Sequence, residues 1–176
     1  MKLKYLDQWT AGRQRNAATY RRLFEERELS LKPAAIAGLG ATETSGSSLS
    51  ELSGAVLPFE NSGGRHIYNQ FVIRSGRRDE LMKHLQDRKI GTEIYYPVPM
   101  HLQECFAYLK YDKGNLPVSE AAAEESLALP IYAELTRQQL DAVVAAVTEG
   151  VERCRKSSLP KHHEDRDRGR RPAAVC

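Results

Sequence analysis

The sequence has few cysteines, and it lacks long apolar runs. Its 176 residues include three cysteines, Cys105, Cys154 and Cys176. An odd number without a CxxC pair fits neither a disulfide framework nor a zinc knuckle. No run approaches the roughly 18 apolar residues that a membrane helix needs, and the first residues lack the apolar core of a secretory signal. We therefore expect no membrane partner and a cytoplasmic location.

Motifs for phosphate binding and hydrolysis are also missing. The chain has no GxGxxG, no GxxxxGK[ST] and no GxSxG sequence. His101 and Cys105 lie four residues apart, but no second pair completes a zinc site. The run 162–165 (HHED) lies in a charged tail and reads as solvated. We therefore predict no metal site.

The positive charge is concentrated at the C-terminus. The net charge is +3, yet residues 153–176 carry eight basic and three acidic residues, which leaves 18 basic against 20 acidic in the remainder. The main part of the chain thus lacks the basic surface typical of nucleic-acid binding, and such a partner is not expected. A weaker alternative assigns salt-sensitive binding of nucleic acid to the arginines of the tail.

Composition and periodicity divide the chain into four segments. Residues 1–29 have helical periodicity with Gly12 in the middle, and residues 30–64 are rich in Gly, Ser and Thr and are expected to form a loop-rich connection. Residues 65–155 carry the regular patterns of a small domain, and residues 156–176 read as a disordered basic tail. The first helix begins without a residue able to cap it, so it resembles a helix that has been cut.

The third segment predicts a small α/β domain of the α+β type. Alternation over 66–74 predicts a strand, the periodicity of 77–89 a helix ended by Gly91, and 92–96 a second strand. These elements form a β-α-β unit, with helices packed on one face of a small sheet. The segment 100–111 predicts a short helix or a structured loop.

Two further helices are predicted towards the C-terminus. Ser119 is expected to cap a helix over Ala121–Leu127, and 127–132 (LALPIY) is expected to be extended. Thr136 and Gln139 form a capping-box pattern before the last helix. That helix has a strong 3.6-residue period in its apolar residues, which are Leu140, Val143, Val144, Val147 and Val151.

The segment 95–103 (YYPVPMHLQ) is the most informative candidate site. Tyr95 and Tyr96 end a predicted strand, prolines fix the exit of the chain, and His101 follows in a loop. Tyrosine and histidine can hydrogen-bond a polar ligand while their rings pack against it. The alternative is that these side chains pack locally and cover a small core.

Asn69 is a second anomaly, because it falls between Ile67 and Phe71 on the apolar face of the predicted strand. A buried amide requires hydrogen-bond partners. Asn69 is therefore expected either to bind neighbouring backbone or to face an interface or site.

Three stretches resemble one known family. They are 66–74 (HIYNQFVIR), the stretch 77–109 that contains YYPVPMHLQ, and 116–147 with its LPVSE and LALPIYAELT motifs. They resemble the C-terminal part of the DegT/DnrJ/StrS family of pyridoxal-phosphate-dependent nucleotide-sugar aminotransferases. Residues 1–29 resemble the family's interdomain helix. The resemblance covers about residues 2–31 and 58–152.

The resemblance implies the small-domain part of a type I aminotransferase fold and a homodimer. The implied reaction moves an amino group, usually from L-glutamate, onto a keto nucleotide sugar, with a dTDP-linked 3-keto deoxy sugar as the closest pattern. Asn69, Tyr95, Tyr96 and His101 then become candidates for contacts with the substrate. Arg74 joins them because guanidinium makes bidentate contacts with a carboxylate or phosphate, although it could equally be a solvated strand end.

The departure from the family is large. In the family, the Schiff-base lysine and the cofactor-binding residues lie upstream, in a domain that this sequence lacks. We therefore expect a truncated or split gene product that has no catalytic residue of its own. Pyridoxal 5'-phosphate is expected in the complete enzyme and not on this chain alone.

Two classes of function remain open from the sequence. The first is the small domain of an aminotransferase, active when the missing large domain is supplied. The second is a non-catalytic remnant that associates with a full-length homologue. In both, Trp9 and Tyr20 on the first helix are expected to be exposed without the large domain, and to favour oligomers.

Overall fold

A computed structural model describes residues 2–29, 54–61 and 63–157 of the chain. The helices are α1 (Leu6–Glu26), α2 (Arg78–Asp87), α3 (Pro117–Glu125) and α4 (Arg137–Ser157), with 3-10 turns at Leu3–Tyr5, Met100–Leu102 and Glu104–Leu109. Strands β1 (Phe71–Arg74) and β2 (Ser126–Leu129) form an antiparallel pair. Among these residues, no helix is long and apolar enough to cross a membrane.

Helix α1 confirms the helix predicted over 1–29, but the apolar side chains of its second half are covered. Ala17, Tyr20, Leu23 and Phe24 recur at helical spacing and are buried in the core, with Tyr20 fully enclosed. The Tyr20 hydroxyl donates to the carbonyl of Pro130 at 2.9 Å. The expectation that Trp9 and Tyr20 would be exposed is therefore wrong for Tyr20, because this small domain itself supplies the surface on which α1 packs, whereas Trp9 is half-buried.

Gly12 has a packing role that the sequence did not reveal. A Cβ atom added there would lie 2.6 Å from the Cβ atom of Ala133, closer than real Cβ contacts occur. Nearby, the Asn16 side-chain amide donates to the carbonyl of Tyr132 at 2.7 Å. The glycine thus lets α1 approach the segment that connects β2 to α4.

The sheet confirms a small sheet but corrects both predicted strands. Regular pairing begins at Phe71 rather than at residue 66, because Tyr68 adopts a positive φ of 50° that interrupts the alternation. Tyr68 is buried instead of Ile67, and Asn69 is exposed rather than on the apolar face. The predicted strand 92–96 is reduced to a bridge between Glu93 and Ala128.

The two strands of the predicted β-α-β unit run parallel to each other, as expected, but they are not neighbours in the sheet. β1 and Glu93 both run antiparallel to β2, so they are parallel to each other with β2 between them. This is a split arrangement, in which the strand inserted between them comes from later in the chain. The paired residues Phe71 and Leu129, and Ile73 and Leu127, lie on the same face and join the core formed with α1, α2 and α4.

Three helix ends differ from the prediction, one in α2 and two in α3. α2 is stopped by Lys89, whose φ of 59° lets the Ile90 N–H reach the carbonyl of Leu85 at 2.9 Å, so Gly91 is not the stop.

α3 begins at Pro117, two residues before Ser119, and Ser119 does not cap it. Leu127 belongs to β2 and not to this helix.

Helix α4 confirms the prediction closely. The Thr136 N–H donates to Oε1 of Gln139 at 2.9 Å, and the Gln139 N–H donates to Oγ1 of Thr136 at 3.3 Å, which completes the capping box. The five residues of its predicted apolar stripe are all buried. The helix runs to Ser157, so residues 156 and 157, which were predicted to belong to the tail, are helical. Residues 158–176 lie outside the described residues. So do residues 30–53, which make up most of the loop-rich connection predicted over 30–64.

Candidate functional site

Tyr95 and Tyr96 lie on the surface just after the Glu93 bridge. Their side chains are 45% and 72% exposed, and their ring centroids lie 6.3 Å apart in a nearly perpendicular arrangement. Pro97 and Pro99 then lead the chain into the turn Met100–Leu102. The two rings therefore face different depressions of the surface.

Tyr95 and Asn69 meet at one of these depressions, although they are 26 positions apart in the sequence. We call it the sheet-end cavity, because it lies where β1 begins and β2 ends, and it has a volume of about 350 Å³. Its walls are formed by Asn69, Gln70, Gly91, Thr92, Glu93, Tyr95, Ala128, Leu129, Pro130 and Ile131. The structure thus brings together two of the sequence-predicted residues.

Thr92 adds a feature to this cavity that sequence reasoning missed. Its Oγ1 atom is buried and has no hydrogen-bond partner among the residues that the structure describes. Buried hydroxyls in proteins are ordinarily paired, so Thr92 is an exception among the described residues. A threonine in a predicted strand gave no signal that its hydroxyl would be buried without a partner.

Tyr96 lines a second depression. It is shared with Pro97, Val98, Leu102, Gln103 and Glu104, and its volume is about 490 Å³. The Gln103 side-chain amide donates to the carbonyl of Val98 at 3.2 Å, which fixes the shape of this wall. Tyr96 therefore presents an aromatic ring to a mainly apolar surface.

His101 does not project into either depression. Its ring is buried, and its Nε2 atom lies 3.0 Å from Oε1 of Glu120 on α3. The ring also packs edge-on against Tyr111, with 6.2 Å between centroids. In this chain His101 positions the 97–103 segment against α3 through Glu120.

Glu120 is the second residue that sequence reasoning missed. Its carboxylate accepts hydrogen bonds from the N–H groups of Gly114 at 2.8 Å and of Leu116 at 3.3 Å, besides its contact with His101. Burial acts to raise the pKa of Glu120, but the hydrogen bonds from Gly114, His101 and Leu116 outweigh it and hold that pKa below its usual range. The sequence did contain one signal for this role. Glu120 is an acidic residue in the first turn after Pro117, and the N–H groups at a helix start favour a carboxylate.

Arg74 meets a carboxylate within its own chain. Its guanidinium donates to Oε2 of Glu125 from Nη2 at 2.5 Å and from Nε at 3.1 Å, and Glu125 is buried. Its backbone also pairs with Val56 across the edge of the sheet. This geometry gives Arg74 a role in joining β1 to the end of α3.

The lysines of the described chain do not fit a pyridoxal-phosphate site. Those within the described ranges are all exposed, and they are Lys2, Lys4, Lys83, Lys89, Lys110, Lys113 and Lys156. A Schiff-base lysine must reach the cofactor in an enclosed site and shuttle protons there. None of these lysines lines the sheet-end cavity or the Tyr96 depression. Likewise, the described residues hold no cluster of three or more metal-ligating side chains.

Comparison with known proteins gives consistent matches. The model of the DegT/DnrJ/EryC1/StrS aminotransferase family matches residues 40–148, and so begins inside the connection that the resemblance had left mainly outside. A protein of Geobacillus stearothermophilus called pleiotropic regulatory protein is 39% identical over 149 residues, which are 85% of this chain and 34% of that protein. A dTDP-3-amino-3,4,6-trideoxy-alpha-D-glucose transaminase of Streptomyces venezuelae is 40% identical over 107 residues, which are 61% of this chain and 28% of that protein.

Solved structures agree with the sequence matches. The crystal structure of S. venezuelae DesV in complex with a ketimine intermediate is 33% identical and superposes with a TM-score of 0.65. The superposition covers 86% of this chain and 34% of DesV. The chain therefore spans about a third of the length of the relatives that it matches most fully.

Proposed function

This chain belongs to the DegT/DnrJ/EryC1/StrS aminotransferase family, and from that premise we propose that it is the small-domain part of a nucleotide-sugar aminotransferase. The complete enzyme would transfer an amino group from L-glutamate to a keto nucleotide sugar, with pyridoxal 5'-phosphate as cofactor. The observation that carries the proposal is that 86% of this chain superposes on 34% of DesV, which was solved in complex with a ketimine intermediate. The proposed substrate is a dTDP-linked 3-keto deoxy sugar, since amino transfer to its 3-keto group would give a dTDP-linked 3-amino deoxy sugar, the class in the name of the Streptomyces venezuelae relative.

The chain's own residues support a binding role rather than a catalytic one. Tyr95 and Asn69 line one cavity and Tyr96 lines the neighbouring depression, so the three are proposed to face the nucleotide-sugar side of the complete site. His101 would act through Glu120 by holding the segment that carries the tyrosines. Arg74 is proposed to support this side of the site through its pairing with Glu125 rather than to bind substrate directly.

The partner required by this proposal is a cofactor-binding large domain. Exposed apolar side chains at the start of the chain, Leu3 at 84% and Leu6 at 49% exposed, offer a surface on which such a domain could pack. Phe59 adds to the exposed apolar area at 82%. A homo-oligomer and a cytoplasmic location stay predictions.

A second candidate is a non-catalytic protein that associates with a full-length homologue. The name of the Geobacillus stearothermophilus relative supports this candidate, because it refers to regulation and not to transamination. It requires the same exposed apolar surface but no turnover. The two proposals therefore differ in what happens when a large domain is supplied.

The deciding experiment supplies that domain separately. The large domain of the Streptomyces venezuelae relative would be expressed alone and mixed with this chain, the cofactor, L-glutamate and a dTDP-3-keto sugar, with chromatographic detection of the amino sugar. Product in the mixture, and none from either part alone, supports the split enzyme. A stable complex without product supports the second candidate, and a lysine-dependent absorption band with turnover from this chain alone would overturn both.

A further inference from the structure

Tyr68 holds a backbone conformation that its residue type disfavours. Its φ of 50° lies in the left-handed region, where a bulky side chain is an outlier. A residue keeps such a conformation only where its surroundings enforce it. The turn at Tyr68 lies just before β1 and leaves Asn69 in the wall of the sheet-end cavity. Whatever fixes the backbone of Tyr68 therefore also places Asn69.

The side chain of Tyr68 is anchored to the core and to α1. It is 3% exposed, and its ring stacks on Phe71 with 6.0 Å between centroids. Its hydroxyl donates to Oε2 of Glu60 at 3.2 Å and accepts from Nη2 of Arg21 at 3.2 Å. These contacts fix the ring, but none of them involves the Tyr68 backbone.

The backbone of Tyr68 is held by His66. The Tyr68 N–H donates to Nδ1 of His66 at 3.0 Å, and the two rings pack with 4.1 Å between centroids. Nδ1 can accept this bond only while it carries no hydrogen, so the bond requires a neutral imidazole with its hydrogen on Nε2. The carbonyls of His66 and Ile67 accept from Gln14 at 2.8 Å and from Arg13 at 3.1 Å. Helix α1 thus fixes the residues before Tyr68, and the His66 ring completes the turn.

Protonation of His66 would remove its bond with Tyr68. An imidazolium carries a hydrogen on both ring nitrogens, so Nδ1 would meet the Tyr68 N–H as a second donor. The charged groups around this turn are Asp7, Arg13 and Arg21 of α1, together with Glu60 and Arg65. Among the described residues, none of these groups hydrogen-bonds the His66 ring. The contact that protonation changes directly is therefore the one with the Tyr68 N–H.

We infer that His66 is a positioning residue, whose neutral ring holds the left-handed turn at Tyr68 and thereby keeps Asn69 in the wall of the sheet-end cavity, and that acid releases this turn. The role of Asn69 towards a substrate rests on the proposed function. The turn and its dependence on His66 are argued from the contacts of this chain alone.

The test is NMR on the whole 176-residue chain. The pH is lowered from about 8, within the range in which histidine changes its charge, until the ring nitrogen shifts of His66 show that it is protonated. The protection factor of the Tyr68 amide against hydrogen exchange should fall about fivefold, a typical loss for one neutral hydrogen bond. The three-bond coupling between the amide and α protons of Tyr68, which reports φ, should change over the same range. A protection factor and a coupling that stay constant while His66 titrates would overturn the inference.

Two variants separate His66 from other effects of acid. In His66→Asn the side-chain oxygen can accept the same N–H and does not titrate. Its Tyr68 protection factor should lie within about twofold of the parent value and should stay constant in acid. Tyr68→Phe is the matched control, because it loses the contact with Glu60 but keeps the N–H, and it should respond to acid as the parent does. Equal losses in the parent and in His66→Asn would contradict the role of His66.

The same comparison in the mixture with a large domain tests the consequence for the substrate. Acid should raise KM for the nucleotide sugar more in the parent than in His66→Asn, while kcat changes alike in the two. Equal KM profiles would reject the positioning of Asn69 for the substrate. An NMR response as expected without amino transfer in any mixture would retain the turn and reject the proposed function.

Discussion

The folded core and the segment 95–118 are built on opposite principles. In the core, Tyr20, Phe71 and Val144 are fully buried, and regular hydrogen bonding continues through helices and sheet. In the segment, Tyr96 is 72% and Tyr108 is 72% exposed, and short turns replace regular elements. The core is therefore stabilised by apolar burial, whereas the segment keeps its shape through polar contacts centred on Glu120. Its exposed rings are available to a ligand or a partner.

The largest expected effect comes from truncating the core. Phe71→Ala should lower the free energy of unfolding by about 3–5 kcal/mol, because it empties a fully enclosed site against Tyr20, whose ring centroid is 5.0 Å away. Chemical denaturation followed by circular dichroism measures it. If Phe71→Ala lowered the free energy of unfolding by less than a truncation of a surface side chain does, the contrast between the core and the segment 95–118 would be wrong.

A smaller loss is expected where α2 and α4 touch. A Cβ atom at Gly150 would lie 2.6 Å from Cδ1 of Leu81, so Gly150→Ala should destabilise by about 1–3 kcal/mol although alanine favours helices. Gly91→Ala is the matched control, because a Cβ there has nothing within 4 Å. Equal denaturation midpoints for the two variants would show that the helices do not approach this closely.

Glu120 tests how the segment is held. Glu120→Gln should lower the thermal midpoint more than Glu124→Gln, because Glu124 makes only an exposed pair with Lys113 at 3.7 Å. Since hydrogen bonds lower the pKa of Glu120 in the folded chain, its stabilisation is complete above the unfolded pKa and is lost as pH falls through the folded value.

The difference between the parent and Glu120→Gln should therefore shrink in acid. Thermal midpoints measured over a pH series with both variants would show this. A difference that stays constant from neutral pH into acid would mean that the Glu120 charge does not hold the segment.

The smallest effect on stability is expected from removing the exposed ring of Tyr96. Tyr96→Ala should change the free energy of unfolding by no more than about 0.5 kcal/mol, as surface substitutions usually do. Substrate affinity in the mixture with a large domain should nevertheless fall. A large loss of stability would instead indicate that Tyr96 belongs to the core.

Local patterns were enough to predict much of the core. Thr136 and Gln139 lie three residues apart and cap α4 as expected, and Leu140 and Val144 share its buried face. Helix α2 was also correct, with Leu81 and Leu85 buried. These features depend on neighbours within about four residues, which a sequence displays directly.

The candidate site depends on contacts that a sequence does not display. The partner of His101 lies 19 positions away, and Asn69 reaches the cavity because the positive φ of Tyr68 turns it outwards. β2 separates β1 from Glu93, which no local pattern in 92–96 indicated. The family resemblance identified the segment, but the structure was needed to assign different surroundings to Tyr95, Tyr96 and His101.

The most direct test measures amino transfer in the mixture of this chain with a separately expressed large domain. We predict that amino-sugar product forms only when both parts are present. We further predict that Tyr96→Ala reduces the rate while the two parts remain associated in size-exclusion chromatography. Product from this chain alone, or a stable complex that never turns over, would contradict the assignment of this chain as the substrate-facing third of an aminotransferase.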